Sequence, residues 1–381
     1  MSLKIFACGD YVNFKANEDF IDSDLKEIIS NSDIAICNFE APIYHENMQA
    51  IKKAGPHLYQ AFESIKYLKN VGFNYVSLAN NHIYDYDQKG LKATISELNK
   101  NMINYIGAGL DFNEAYKYSI FVKDGVKISL IAACENEFGC LYEEENRGGY
   151  AYIFHYKIED NIKKLRQEVD VIVFISHAGV EDINFPIKEW RDRYKRLCDL
   201  GVDVIIGHHP HVPQGYEIYN NSIIFYSLGN FYFDTAGFEH KSDDSYSVIL
   251  EFSKNGLKDF QIIKHKKING KVYKIKDDEA SFCLENLNNL LMDNYEERNN
   301  EICLKLFERY YYDYYKIAIG KLPENISFRE KLKYIIKVLL GKNSDNKLLL
   351  LHNIKIDSHR FVVQRALKLI TGGCCQQFSV N

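Results

Sequence analysis

An α/β fold with a helical C-terminal appendage follows from three features of the chain. Short, continuous runs rich in Ile, Val and Phe alternate with helical periods over the first two-thirds of the sequence. Most of these runs lack polar–apolar alternation, which suits strands buried on both faces of a sheet. Beyond residue 276 the pattern turns helical and stays so.

The strand-like runs are 4–8, 34–38, 75–78, 128–132, 171–176, 204–206 and 223–227. Between them, 61–71 carries Phe62, Ile65, Leu68 and Val71 at helical spacing and stops at Gly72, a natural C-cap. Segments 88–101 and 188–200 read the same way. Residues 246–252 alternate, and 261–267 and 271–275 flank Ile268-Asn269-Gly270, a hairpin turn by its Asn-Gly pair. After that, 280–293, 295–319, 328–340 and 361–370 predict helices. The boundary falls near 276, giving a domain over 1–276 and an appendage over 277–381. The run Tyr310-Tyr311-Tyr312-Asp313-Tyr314-Tyr315 either packs aromatics inside that appendage or presents them to a polymer or partner.

Composition narrows the class. The 381 residues are 46% hydrophobic and 26% charged, as in ordinary globular proteins, and the length exceeds what one small core needs. A net charge of -5 argues against a nucleic-acid or anionic-membrane partner. The longest apolar runs, such as 335–340, are far short of the roughly 20 residues that span a bilayer. The 9 cysteines form no CxxC zinc pattern, and the adjacent Cys374-Cys375 reads as a surface accident near a frayed terminus. Cys8 and Cys37 lie in apolar runs, where a thiol packs as a small hydrophobe. With no leader ahead of the first strand, the expectation is a reducing, cytoplasmic setting.

The informative polar residues sit where apolar runs stop. They are Gly9-Asp10, Asn38-Phe39-Glu40, Asn80-Asn81-His82, Ser176-His177, Gly207-His208-His209-Pro210-His211 and Ser227-Leu228-Gly229-Asn230. In open α/β sheets, ligands bind beyond the carboxyl ends of strands. A lone histidine at such a place is usually a hydrogen-bonded turn residue. The same arrangement after run upon run points instead to a metal site. Imidazole with carboxylate and amide oxygen suits Mn, Fe or Zn, and a pair of divalent cations could clamp a phosphoryl group. If 209–211 is extended, His209 and His211 point to opposite sides, one for each cation.

These motifs, in this order, resemble the CapA family of bacterial capsule-synthesis and poly-γ-glutamate-biosynthesis proteins, over roughly residues 3–250. The resemblance implies a calcineurin-like metallophosphoesterase fold, a four-layered αββα sandwich of two mixed sheets with helices outside. It also implies roles. Asp10 would hold the first cation, Glu40 would bridge, Asn81, His177 and His209 would hold the second, and His211 would return to the first. His82 takes the place of the histidine that protonates the leaving group, with Asp85 and Glu181 as further acid/base candidates. Asn38, Asn80, His208, Ser227 and Asn230 are expected behind the ligands or facing substrate. Ordinary metallophosphoesterases open with Asp-x-His, but Asp10-Tyr11-Val12 has no such histidine, so the first cation lacks a ligand unless His208 supplies it. Ala178 stands where relatives often carry Trp, which alters pocket shape.

The leading expectation is a metal-dependent hydrolase acting on a phosphoester or a capsule-type polymer. A second is a non-catalytic polymer-binding or assembly subunit working with capsule-synthesis partner proteins. A third is a peptide epimerase using His82 and Glu181 as acid and base.

Overall fold

A computed structural model describes residues 2–234, 244–321, 327–339 and 346–372. Residues 374 and 375 of the cysteine pair lie outside the described residues, as does position 340 of the expected 328–340 helix. The strands, in chain order, begin with β1 (Leu3–Asn13), β2 (Ile34–Phe39), β3 (Tyr75–Ser77), β4 (Asn104–Ile106), β5 (Ala108–Gly109) and β6 (Ser119–Lys123). There follow β7 (Val126–Cys134), β8 (Cys140–Leu141), β9 (Gly149–Ala151), β10 (Val171–His177), β11 (Val204–His208) and β12 (Tyr216–Tyr219). The last are β13 (Ser222–Phe225), β14 (Asn230–Asp234), β15 (Asp244–Ser253), β16 (Gly256–Ile268) and β17 (Lys271–Lys274).

Among the described residues these strands form two large mixed sheets and a small third one. The first runs β17-β16-β15-β1-β2-β3-β4, with β14 also paired to β1. The second runs β12-β13-β11-β10-β7-β6, and β5-β9-β8 make the small sheet. Alternation along the strands explains the layering. On β10, Val171, Val173 and Ile175 join the same core cluster as Ile5, Ala7 and Val248 of the first sheet. Ile172 and Phe174, facing the other way, are equally buried. Helix Lys188–Asp199 meets β10 through the Tyr194 hydroxyl, which donates to Ser176 Oγ at 2.8 Å. The helices Ser64–Val71 and Asp87–Lys100 add Ile65, Leu68, Leu91, Ile95 and Leu98 to the core cluster. This is the expected four-layered α/β sandwich.

Local chemistry sets the element ends. Gly72 caps Ser64–Val71 at φ 114, a left-handed value that costs a glycine little. Asn269 and Gly270, at φ 51 and 78, turn β16 into β17 as the Asn-Gly pair predicts. β1 runs past its expected end to Asn13, because its far half still has parallel partners in β2 and β14. The helix expected over 280–293 shrinks to Leu284–Asn289, behind a single 3-10 turn at Asp277–Glu279.

The chain separates into two compact units. The first holds Met1–Ile51, His57–Pro186 and Trp190–Met292. It thus runs past the boundary near 276, because Leu287 is buried and Asn288 Oδ1 accepts from the Tyr216 backbone N–H at 2.7 Å. The second holds Lys52–Pro56, Ile187–Glu189 and Asp293–Asn381. Within it, the Arg365 guanidinium grips Glu189 Oε1 at 2.7 and 3.1 Å. Tyr311 of the aromatic run is buried against the His359 ring at 4.7 Å, whereas Tyr310, Tyr312 and Tyr314 are each 39% exposed. That run therefore packs and presents at once, on a π-helical turn at Phe307–Tyr311. Helix Asn346–Lys355 was not anticipated, since Leu348-Leu349-Leu350-Leu351 has no helical period to read. Among the described residues no helix is long and apolar enough to cross a membrane.

Candidate metal centre

Strand register assembles the site. In the first sheet, Asp10 of β1 stands between Asn38 of β2 and Asn230 of β14. In the second, His177 of β10 stands between Cys134 of β7 and His208 of β11. Two glycines let the chain through. A Cβ on Gly9 would lie 1.8 Å from the Gly229 carbonyl oxygen, and one on Gly207 would lie 2.0 Å from that of Tyr226. Each glycine immediately precedes a site residue, Asp10 or His208.

Asp10, Asn38, Glu40, Asn80, Asn81, His82, Asp85, His177, His208, His209, His211 and Asn230 are all buried. Around His177 Nε2 lie Asn81 Oδ1 at 3.0 Å, His209 Nδ1 at 3.1 Å and Glu40 Oε1 at 3.7 Å. Glu40 Oε1 is also 3.7 Å from His211 Nε2. His211 Nδ1 lies 3.0 Å from Asn230 Oδ1 and 3.4 Å from Asp10 Oδ2. A proton on Nδ1 serves the Asn230 oxygen and leaves Nε2 with its lone pair. His208 Nδ1 lies 3.3 Å from Asp10 Oδ1.

The segment carrying His209 and His211 is not extended. His209 has φ 95 and His211 φ 60, because β11 ends at His208 and the chain bends there. The opposed pointing expected of an extended pair therefore does not apply. The bend itself aims His209 Nδ1 at His177 and His211 Nε2 at Glu40. Such left-handed backbone is costly for non-glycine residues and concentrates at functional sites.

The remaining candidates divide. Asn38 Nδ2 donates to Asp10 Oδ1 at 2.8 Å and lies 3.0 Å from His177 Nδ1, so it ties the two sheets together behind the cluster. Asn80 Nδ2 donates to the Phe39 carbonyl at 2.9 Å. His82 and Asp85 form a dyad, with His82 Nδ1 2.7 Å from Asp85 Oδ2, and that oxygen also accepts from the Leu58 N–H at 2.8 Å. Glu181 is exposed, yet a carboxylate oxygen of it and a ring nitrogen of each of His209 and His211 lie within 4.8 Å of one another. Ser227 is turned into its own loop, where its hydroxyl donates to the Val212 carbonyl and accepts from the Gly229 N–H.

Two residues escaped the sequence reading. Glu135 and Glu137 follow β7 and are both buried. Glu135 Oε1 lies 3.6 Å from His209 Nε2, and Glu137 Oε1 accepts from Asn81 Nδ2 at 2.9 Å. The signal was there to read, for the run 128–132 leads into Cys134-Glu135-Asn136-Glu137 as the other runs lead into theirs.

The electrostatics favour a cation. Burial lowers His177 well below the usual imidazole range, helped by His209. Burial likewise lowers His209 to about 4, with His211 adding to the shift and Glu181 opposing it. Both rings are thus neutral at pH 7. Burial pushes Asp10 up, but the neighbouring His208 and His211 outweigh it and hold the carboxyl well below its ordinary value. Asp10 Oδ2 and His208 Nδ1 are buried without a hydrogen bond. Buried polar atoms left in that state call for a further partner. Neighbouring ligand atoms on one first-row cation sit roughly 3.0–3.5 Å apart, close to the spacings around His177. The residues therefore fit divalent cations.

The structure is a two-sheet α/β sandwich with carboxylate, amide and imidazole groups gathered at its strand ends. The chain belongs to the family described as bacterial capsule synthesis protein PGA_cap, whose pattern matches residues 5–235. It is 33% identical over 240 residues to the PGA biosynthesis protein CapA of Bacillus subtilis (strain 168), a match covering 62% of each chain. It is 32% identical over 244 residues to the capsule biosynthesis protein CapA of Bacillus anthracis, covering 62% of this chain and 59% of that one. The matches thus span about three-fifths of the length of these relatives. Among solved structures, a putative 5'-nucleotidase from Staphylococcus aureus aligns at TM-score 0.46 and 12% identity, covering 77% of this chain and 58% of that chain.

Proposed function

We propose that the chain is a divalent-cation-dependent hydrolase that cleaves a phosphoester, or a bond in a capsule-type polymer, during capsule or poly-γ-glutamate biosynthesis. The observation that carries this reading is Glu40 Oε1, which stands 3.7 Å from both His177 Nε2 and His211 Nε2. A carboxylate so placed is suited to bridge two cations. Asn81, His177 and His209 would hold one, and Asp10 and His211 the other, with His208 the nearest imidazole to Asp10. Bound cations of the Mn, Fe or Zn type would supply Lewis-acid stabilisation of the charge that develops during cleavage.

The protein's own groups complete the chemistry. Asp85 holds His82 by Nδ1, and Nε2 would pass a proton to the leaving oxygen. Leu58 N–H fixes the same Asp85 oxygen, which keeps the dyad in register. Glu181, exposed beside His209 and His211, would meet the substrate. The names of the relatives favour a polymer pathway and its proteins as partners. We also place the chain in a reducing compartment, because among the described residues Cys8, Cys37, Cys134, Cys198 and Cys303 are buried thiols.

Metal analysis of the purified chain, with Mn-dependent turnover of an aryl phosphodiester and an aryl phosphomonoester, tests the proposal. About two cations per chain and turnover lost in Glu40→Ala are expected. Less than one cation and no turnover under any divalent ion would instead favour a polymer-binding subunit, with the exposed tyrosines at 310, 312 and 314 the next surface to probe.

A further inference from the structure

We infer that Glu135 and Glu137 are positioning residues that fix the ligand atoms of the cation held by Asn81, His177 and His209, an inference that rests on the metal-site reading above. Both follow β7, whose last residue, Cys134, pairs with His177. Each meets the far side of a ligand.

His209 turns Nδ1 to His177 Nε2 at 3.1 Å, so its other nitrogen decides the tautomer. Glu135 Oε1 lies 3.6 Å from that Nε2. A carboxylate there favours a proton on Nε2 and frees the Nδ1 lone pair. The carboxylate is itself held, for Glu135 Oε1 accepts from the Gly179 N–H at 3.0 Å. Its backbone is held too, since the Glu135 N–H donates to the His177 carbonyl at 3.0 Å.

Asn81 poses the other half of the problem. A side-chain amide presents oxygen or nitrogen with nearly equal ease, and only oxygen can bind a cation. Glu137 Oε1 accepts from Asn81 Nδ2 at 2.9 Å, which leaves Oδ1 facing His177 Nε2 at 3.0 Å. The Glu137 N–H in turn donates to the Tyr150 hydroxyl at 2.8 Å, and Tyr150 is fully buried. One short segment thus sets two ligands, His209 by proton placement and Asn81 by amide orientation.

The two mechanisms predict different responses to the same conservative change. Glu135→Gln keeps an acceptor for Gly179 but loses the charge that selects the His209 tautomer. Glu137→Gln keeps a carbonyl oxygen for Asn81 and should act much like the parent. Mn affinity measured by titration calorimetry on the full chain reads this directly, with the thermal midpoint of the metal-free proteins as the control for folding. Loss of a partner of this kind weakens metal binding about 10–100-fold. The expected result is that loss in Glu135→Gln and Glu137→Ala, with Glu137→Gln within about threefold of wild type and the metal-free midpoints unchanged. If Glu137→Ala does not fold, the contrast between the two Gln variants still decides. Equal affinity for wild type, Glu135→Gln and Glu137→Ala would overturn the inference while leaving the metal site standing. A wild-type chain that takes up no Mn would overturn both.

Discussion

Nε2 of His177 lies 3.1 Å from Nδ1 of His209, and both rings are buried and neutral at pH 7. Such a pair has at most one proton to share, and the neighbouring Asn81 Oδ1 at 3.0 Å also accepts. A divalent cation would satisfy all three atoms together. Replacing His177 or His209 by alanine should therefore remove one cation per chain. The other should stay, since Asp10 and His211 are untouched. Mass-spectrometric metal counting on dialysed protein checks this. Full occupancy in either variant would mean that the imidazoles serve another purpose.

His82 is held by Asp85 rather than by the ligands. His82→Ala should leave cation content at its wild-type value and slow turnover about 100-fold, within the 10²–10⁴ range of a lost proton donor. Asp85→Asn should slow it too, because the amide no longer fixes the proton on Nδ1. The slope of rate against leaving-group pKa gives a second check. It should steepen in His82→Ala, because a poor leaving group depends most on the missing proton. Loss of metal in His82→Ala would remove His82 from this role.

Much of the scaffold was legible because its strands are apolar on both faces. Residues 171–175 and 204–206 read as continuous apolar runs, so the polar residues that follow each one stood out. The same contrast drew attention to Asp10, Glu40 and Asn81, which the structure brings to one place. The rest was hidden for physical reasons. A left-handed φ at His209 and His211 has no sequence mark, for neither is a glycine. Glu135 and Glu137 follow an apolar run as the other site residues do, but only strand pairing shows that they lie beside His209 and Asn81. Segment 280–293 carries helical spacing, yet only Leu284–Asn289 forms an α-helix, because local periodicity does not decide which residues find a surface to pack on.

Gly207 makes a prediction about packing. A methyl group there would meet the Tyr226 carbonyl oxygen at 2.0 Å and its carbon at 2.6 Å, both backbone atoms that cannot swing aside. Gly207→Ala should cost at least about 3 kcal/mol, the upper range for overpacking. It should also push His208 and His209 out of line and weaken cation uptake. A melting-temperature series with and without Mn reads both effects. A variant with wild-type stability would show that β11 and the Tyr226 strand end can separate more easily than their close approach implies.

His265 makes the last prediction, on pH. It is fully buried on β16 and packs edge-on against the Phe231 ring at 5.1 Å. Burial lowers its pKa to about 3, against opposing contributions from the Tyr246 backbone and Asp244. The unfolded chain takes up that proton near the ordinary value of about 6.5. Below that pH the unfolded state binds a proton that the folded state refuses, so stability falls as pH drops toward 3 and is unaffected above about 7. The loss from this one group is on the order of 3 kcal/mol between pH 7 and pH 4. His265→Leu removes the titrating ring and keeps an apolar filling, so its unfolding midpoint should depend less steeply on pH between 6 and 4. Urea unfolding of both proteins at several pH values decides the point. Parallel curves would mean that the wild-type ring takes up its proton in the folded state.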